Sequence, residues 1–196
     1  MTVVYVLILF GIGVVICIIP AIISDLCVYC KAKITKKGHV NGREWIDLGL
    51  PSGTKWATCN IGSKYPADTS ICYIWTQEYD TATRMWGDGW RMPTAEEFYE
   101  LKQVCAWTLT MLNGEKGYLV TGPNGKSIFL PYTWGMGGEY WTSTRNKMYS
   151  QCAWYFLFTE GIGQIFNKED YNLNSMGDFN TEMAIRPVKR KKTDVI

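Results

Sequence analysis

Residues 1–24 carry no charged side chain, and the unbroken apolar run at 3–23 would extend roughly 30 Å as a helix, enough to cross a hydrocarbon core. This pattern predicts a single transmembrane helix at 1–24. A cleaved signal peptide is the rival, but the run lacks a basic leading region and a small-x-small cleavage site. Residues 25–41 are polar and lysine-bearing and read as a connector, which puts the start of the folded domain near Gly42. Lys31, Lys33, Lys36 and Lys37 all follow the span, so the positive-inside rule favours a cytoplasmic domain.

Beyond the connector the period changes. Glu44-Trp45-Ile46-Asp47-Leu48-Gly49 alternates polar and apolar positions, Pro51-Ser52-Gly53 supplies a turn, and Lys55-Trp56-Ala57-Thr58-Cys59 follows, which reads as a short β-meander. Pro93 precedes a Thr94-Ala95-Glu96-Glu97 capping box, and Phe98, Leu101, Val104 and Cys105 fall at helical spacing, which predicts a helix over 94–105. Strands at 118–121 and 127–130 flank Gly122-Pro123-Asn124-Gly125, whose Asn-Gly step suits a tight hairpin. A second hairpin is predicted at Glu160-Gly161-Ile162-Gly163, between strands at 152–158 and 164–166. Residues 167–182 read as a long surface loop, 183–188 as a final strand, and 190–196 as a basic tail. One helix among several hairpins predicts an α+β domain at 42–189.

Composition narrows the function. Hydrophobic residues make up 47% of the 196, charged residues 19%, and nine tryptophans are present, which excludes a disordered chain and points to aromatic packing or aromatic contact surfaces. A formal net charge of +2 gives no general attraction for nucleic acid, so none is expected as a partner.

Candidate chemistry is sparse. His39 is the single histidine and lies in the connector, so a Ser-His-Asp or Cys-His site has no imidazole to draw on within the domain. Cys27-Val28-Tyr29-Cys30 has the spacing of half a zinc knuckle, without the second Cys-x-x-Cys that a ribbon needs. Gly125-Lys126-Ser127 ends like a phosphate-binding loop, but Val120 stands where its first glycine belongs. Trp45, Trp56, Trp90, Trp141 and Trp154 sit in strand-like segments and are assigned to the core. Trp86, Trp134, Tyr149 and Tyr171 sit in glycine-rich or polar segments, where an exposed ring can stack on a sugar or a partner side chain.

Glu44 through Gly62, Trp90-Arg91-Met92-Pro93-Thr94, Tyr140-Trp141-Thr142-Ser143 and Ala184-Ile185-Arg186-Pro187-Val188 together resemble the Fibrobacter succinogenes major paralogous domain of Bacteroidetes, over about 42–189. The Trp-Arg-Met-Pro-Thr and Tyr-Trp-Thr-Ser stretches are also similar to the formylglycine-generating enzyme group and to bacterial surface lectins. The resemblance implies a bacterial, C-type-lectin-like domain in which early strands lie beside the last one, a helix packs on them, and irregular loops carry a ligand site. It favours an extracytoplasmic domain, against the lysines.

Compared with that family, the segment 79–88 is a brief link where relatives carry a longer insertion. Cys152 lacks the neighbouring cysteine that the formylglycine-generating oxidation uses, so no enzyme activity and no catalytic residue is expected. Family-like positions make Cys59 and Cys105 the candidate disulfide. Asp170, Asp178 and Glu182 offer oxygen ligands for calcium, but their spacing fits no defined motif, and the Glu-Pro-Asn and Trp-Asn-Asp triplets of calcium-dependent lectins are absent, so no cofactor is expected. The function expected is a membrane-anchored binding module for a glycan or protein, using Trp86, Trp134, Arg145, Tyr149, Tyr171, Asn172 and Asn174. A structural role in the cell envelope through protein association, or a degenerate enzyme of the formylglycine-generating type, are the alternatives.

Overall fold

The computed structural model describes residues 37–68, 71–135, 137–146, 153–159, 176–177 and 181–189, all within a compact unit spanning Lys36–Ile196. Among them the chain is a mixed α+β domain of short, mostly antiparallel strands with few helices. No described helix is long and apolar enough to cross a membrane, and the apolar run at 1–24 lies outside the described residues.

The domain begins earlier than its polarity suggests. β1 (Lys37–Val40) pairs with β2 (Arg43–Asp47) through Asn41 and Gly42, at φ 49° and 73°. Two successive left-handed residues make the tight turn whose twist matches that of the strands it joins. Residues 37–41, expected to belong to the connector, are therefore part of the folded domain. Tertiary contacts order a stretch too polar to read as a strand. Trp90 Nε1 donates to Val40 O (3.0 Å), Asn41 Nδ2 donates to Trp86 O (2.8 Å), and Gly38 lies so close to the Trp45 indole that a Cβ there would meet it at 2.7 Å.

β3 (Lys55–Ala57) pairs with β2, and the chain's last strand, β13 (Val188–Lys189), fits between β3 and β5 (Trp90–Arg91), giving the order β1-β2-β3-β13-β5. Early and final strands thus lie side by side. The single final strand expected at 183–188 is divided. β12 (Glu182–Met183) pairs instead with β4 (Tyr73–Ile74), Ala184 bridges Tyr140, and Pro187, which lacks an N–H, offers only its carbonyl to Ala57 N.

Two helices are described. α1 (Thr81–Trp86) occupies the segment read as a brief link, started by Asp80, whose Oδ1 accepts from Thr83 N (2.8 Å) and whose Oδ2 accepts from Met92 N (2.9 Å). α2 (Ala95–Val104) has the expected reciprocal capping box between Thr94 and Glu97. Its buried face places Phe98 against Trp56 (centroids 5.0 Å) and in stacked contact with Phe156 (4.6 Å).

After α2 come β6 (Ala106–Leu112), β7 (Glu115–Thr121) and β8 (Ser127–Pro131), a three-stranded sheet in that order. The 118–121 and 127–130 hairpin is present, whereas β6 is an addition, joined to β7 by Asn113-Gly114 with φ 52° and 89°. At Asn124-Gly125 only the glycine takes positive φ (77°), in a turn closed by Gly125 N donating to Gly122 O (2.9 Å), and Asn124 Nδ2 donates to Asp47 O (2.8 Å).

β9 (Gly137–Arg145) and β10 (Ala153–Thr159) form a ribbon with both faces in use. Tyr140, Phe156 and Phe158 enter one core cluster with α2 and the β6-β7-β8 sheet. Trp141 enters a second, with Trp45, Trp86, Trp90 and Ile185. β11 (Met176–Gly177) lies beside β10. The hairpin predicted at 160–163 falls outside the described residues, as does most of the 167–182 segment.

Candidate binding surface

On β9 Glu139 and Trp141 share one face, and across the ribbon Tyr155 is paired with Trp141; the register then shifts before Arg145, which pairs with Ala153. β4 is secured to this face by a 2.7 Å hydrogen bond from Trp141 Nε1 to Tyr73 O. Trp141 and Tyr155 meet edge to face at 6.1 Å, and Tyr73, Trp75 and Tyr155 are half-buried against the second core cluster. Arg145 closes one end, exposed, with Nη2 donating to Gln77 O (2.9 Å) and its guanidinium 6.0 Å from the centre of the Trp75 ring.

Two carboxylates and a thiol complete the surface. Burial pushes the Glu139 carboxyl above its ordinary pKa. The Cys72 thiol is raised by burial and then by the charges of Glu182 and Glu139, which keeps it protonated and a poor nucleophile. Tyr73 is raised by burial, and Tyr155 by burial and by Glu139. Half-buried rings beside a fixed guanidinium and hydrogen-bonding carboxyls can present both apolar faces and polar edges to a ligand.

No family model, curated protein or solved structure matches this chain.

The sequence candidates separate. Arg145 lies within the surface, and Glu182 sits on β12 near Cys72. Trp134 is 38% exposed in the turn that bridges to Gly137. Trp86 is not a free loop ring: at 7% exposure it packs edge to face on Trp90 (5.2 Å), because α1 turns it inwards. Trp154, assigned to the core, is half-buried. Tyr149, Tyr171, Asn172, Asn174, Asp170 and Asp178 lie outside the described residues.

The disulfide expected between Cys59 and Cys105 is not formed, and both are free. Cys59 Sγ faces Lys64 O (3.7 Å) after β3, while Cys105 caps the C-terminus of α2 with its thiol pushed up to about 11 by burial and by Glu100. Among the described residues no group of three or more His, Cys, Asp or Glu is placed to hold a metal ion.

Sequence reading missed Glu139, Tyr155, Tyr73 and Trp75 as surface residues. The available signal was the two-residue alternation of 139 and 141, obscured because the intervening Tyr140 is also aromatic, and the register shift after Trp141 breaks that alternation before Arg145.

Proposed function

We propose that this is a membrane-anchored, non-enzymatic binding module that recognises a glycan or protein through one face of a C-type-lectin-like domain. The observation that carries it is the gathering of Tyr73, Trp75, Tyr155 and Arg145 on the β4, β9 and β10 surface. The resemblance to surface lectins, the ends-together sheet and the capped helix support the same reading. Tyr149 belongs to the segment that joins Arg145 to Ala153, which puts it close in sequence to that surface. The apolar run at 1–24 supplies the anchor in this account.

The test is a glycan array probed with the full chain in nanodiscs, beside Trp75→Ala and Arg145→Ala. Binding of a defined sugar that either substitution abolishes supports the module. Failure of every sugar to bind above background removes the glycan form and leaves a protein ligand, to be sought by cross-linking in native membranes.

The second reading, assembly in the cell envelope, has its own observation. β6 is an edge strand without a charged residue, and Met111 on it is 65% exposed. Engineered cysteines along β6 that cross-link between copies in membranes would favour this role.

A further inference from the structure

A cleft of about 290 Å³ opens between the β1-β2 hairpin and the loop after β3, lined among others by His39, Arg43, Cys59, Lys64, Tyr65 and Trp86. It is separate in its residues from the β4, β9 and β10 surface. His39, assigned to the connector from sequence, belongs to a wall of this cleft, as the cross-strand partner of Glu44.

The walls carry an excess of positive charge. Glu44 is the acidic group of the lining, and Lys37 neutralises it at 3.1 Å. Arg43 and Lys64 have no salt-bridge partner among the described residues. Each lies instead against an aromatic ring, Arg43 at 4.9 Å from the Trp86 centroid and Lys64 at 5.1 Å from that of Tyr65. A ring face attracts the cation without satisfying its N–H donors, so both keep hydrogen-bonding capacity for an anion. Tyr65 is 53% exposed, which leaves ring surface for a planar group to pack on.

The cleft is held open by its frame. Asp68 Oδ2 accepts from Lys64 N (2.9 Å) and Tyr65 N (2.8 Å), fixing the loop, and Thr58 N donates to Glu44 O (3.2 Å), joining loop and hairpin. Asn41 and Val40 anchor the hairpin to Trp86 and Trp90. A site with its donors already in place spends little binding energy on ordering them.

From this geometry we infer that the cleft is a second binding site, for a small organic anion that joins one planar ring to a carboxylate or phosphate. The volume sits at the lower end of the range for ligand pockets and suits a single ring with its acidic group. Arg43 and Lys64 hold the anionic oxygens, and Tyr65 packs on the ring. Carboxylate and phosphate make the same demand on these donors, so the probes must separate them.

The experiment is equilibrium titration of the full chain in detergent micelles with 4-hydroxybenzoate, phenyl phosphate and neutral phenol. Both anions are expected to bind more tightly than phenol, and added salt to weaken them. The tighter of the two identifies the acidic group. Arg43→Gln and Lys64→Gln should each weaken anion binding about tenfold, the loss of one charge-assisted hydrogen bond. These side chains lie at the surface, and unchanged thermal melting will show that the variants fold. Trp75→Ala should leave anion binding unaltered, which distinguishes this cleft from the proposed glycan surface. Equal binding of phenol and the anions, no binding of either anion, or indifference to both glutamine substitutions would overturn the assignment.

Discussion

Arg91 holds Glu97 in a two-pronged ion pair, Nη2 to Oε1 at 2.7 Å and Nη1 to Oε2 at 2.8 Å, so that β5 and the first turn of α2 are fastened together. Glu97 also accepts from Thr94 N (2.9 Å) and Thr54 Oγ1 (2.9 Å), and the capping carboxylate thereby serves as a four-way joint. Burial by itself would raise its pKa. Arg91, then Thr94 and Thr54, outweigh burial and hold the carboxyl below its ordinary value.

A depressed carboxyl gives the joint a definite pH dependence. Above the ordinary value of 4.5 Glu97 is ionised in both states and its contribution to stability is complete. As pH falls below that, the unfolded chain takes up a proton that the folded chain refuses, and the contribution is lost as pH passes through the folded pKa. Urea melts between about pH 3 and 6 should show a steeper decline for the native chain than for Glu97→Gln. Near neutral pH, Glu97→Ala should cost about 3 kcal/mol by stranding Arg91. Parallel declines in the two chains would exclude the joint as a source of acid sensitivity.

Arg186 is fully buried (0% exposed) and is satisfied by neutral oxygens, with Nε donating to Asn60 Oδ1 (2.7 Å), Nη1 to Ala57 O (3.2 Å) and Nη2 to Phe129 O (2.8 Å). It links the chain's last segment to β3 and β8. Arg186→Met would leave those three acceptors without this donor and is expected to destabilise by about 3 kcal/mol or more in denaturant melts. Tyr140→Phe removes the hydroxyl that donates to Pro131 O (2.8 Å) and accepts from Asn60 Nδ2 (3.4 Å), and should cost about 1–2 kcal/mol, less than loss of the guanidinium. Similar losses for the two would mean that the guanidinium is not the hub.

Two glycines separate local strain from docking. A Cβ on Gly89 would lie 2.1 Å from Val40 Cγ1, whereas one on Gly53 meets nothing within 4 Å and is disfavoured only by its φ of 68°. Gly89→Ala should speed hydrogen exchange at 37–40 and weaken anion binding in the cleft. Gly53→Ala should lower stability by about 1 kcal/mol without either effect. Unchanged exchange at 37–40 in Gly89→Ala would show that β1 does not depend on that contact.

With its thiol pushed up to about 11, Cys105 should alkylate slowly near neutrality, at a rate still climbing beyond about pH 10. Peptide mapping without reductant should recover Cys59 and Cys105 unbridged. A bridged peptide would contradict the free pair.

Sequence alone determined the elements whose signals are local. The Thr94 and Glu97 capping box lies within four consecutive residues, and its neighbouring apolar positions mark the helix face that Phe98 and Leu101 bury. The 118–121 and 127–130 hairpin and the mixed α+β class were equally legible. Tertiary structure decided what depended on distant partners. Lys37–Val40 became a strand because Trp45, Trp86 and Trp90 receive it, and Trp86 left the surface because α1 rotates it onto Trp90. Adjacent Tyr140 and Trp141 are both fully buried, on opposite faces of β9. Period-two alternation can assign residues to two faces, but only the layers packed on each face decide which rings are enclosed and which stay open to a ligand.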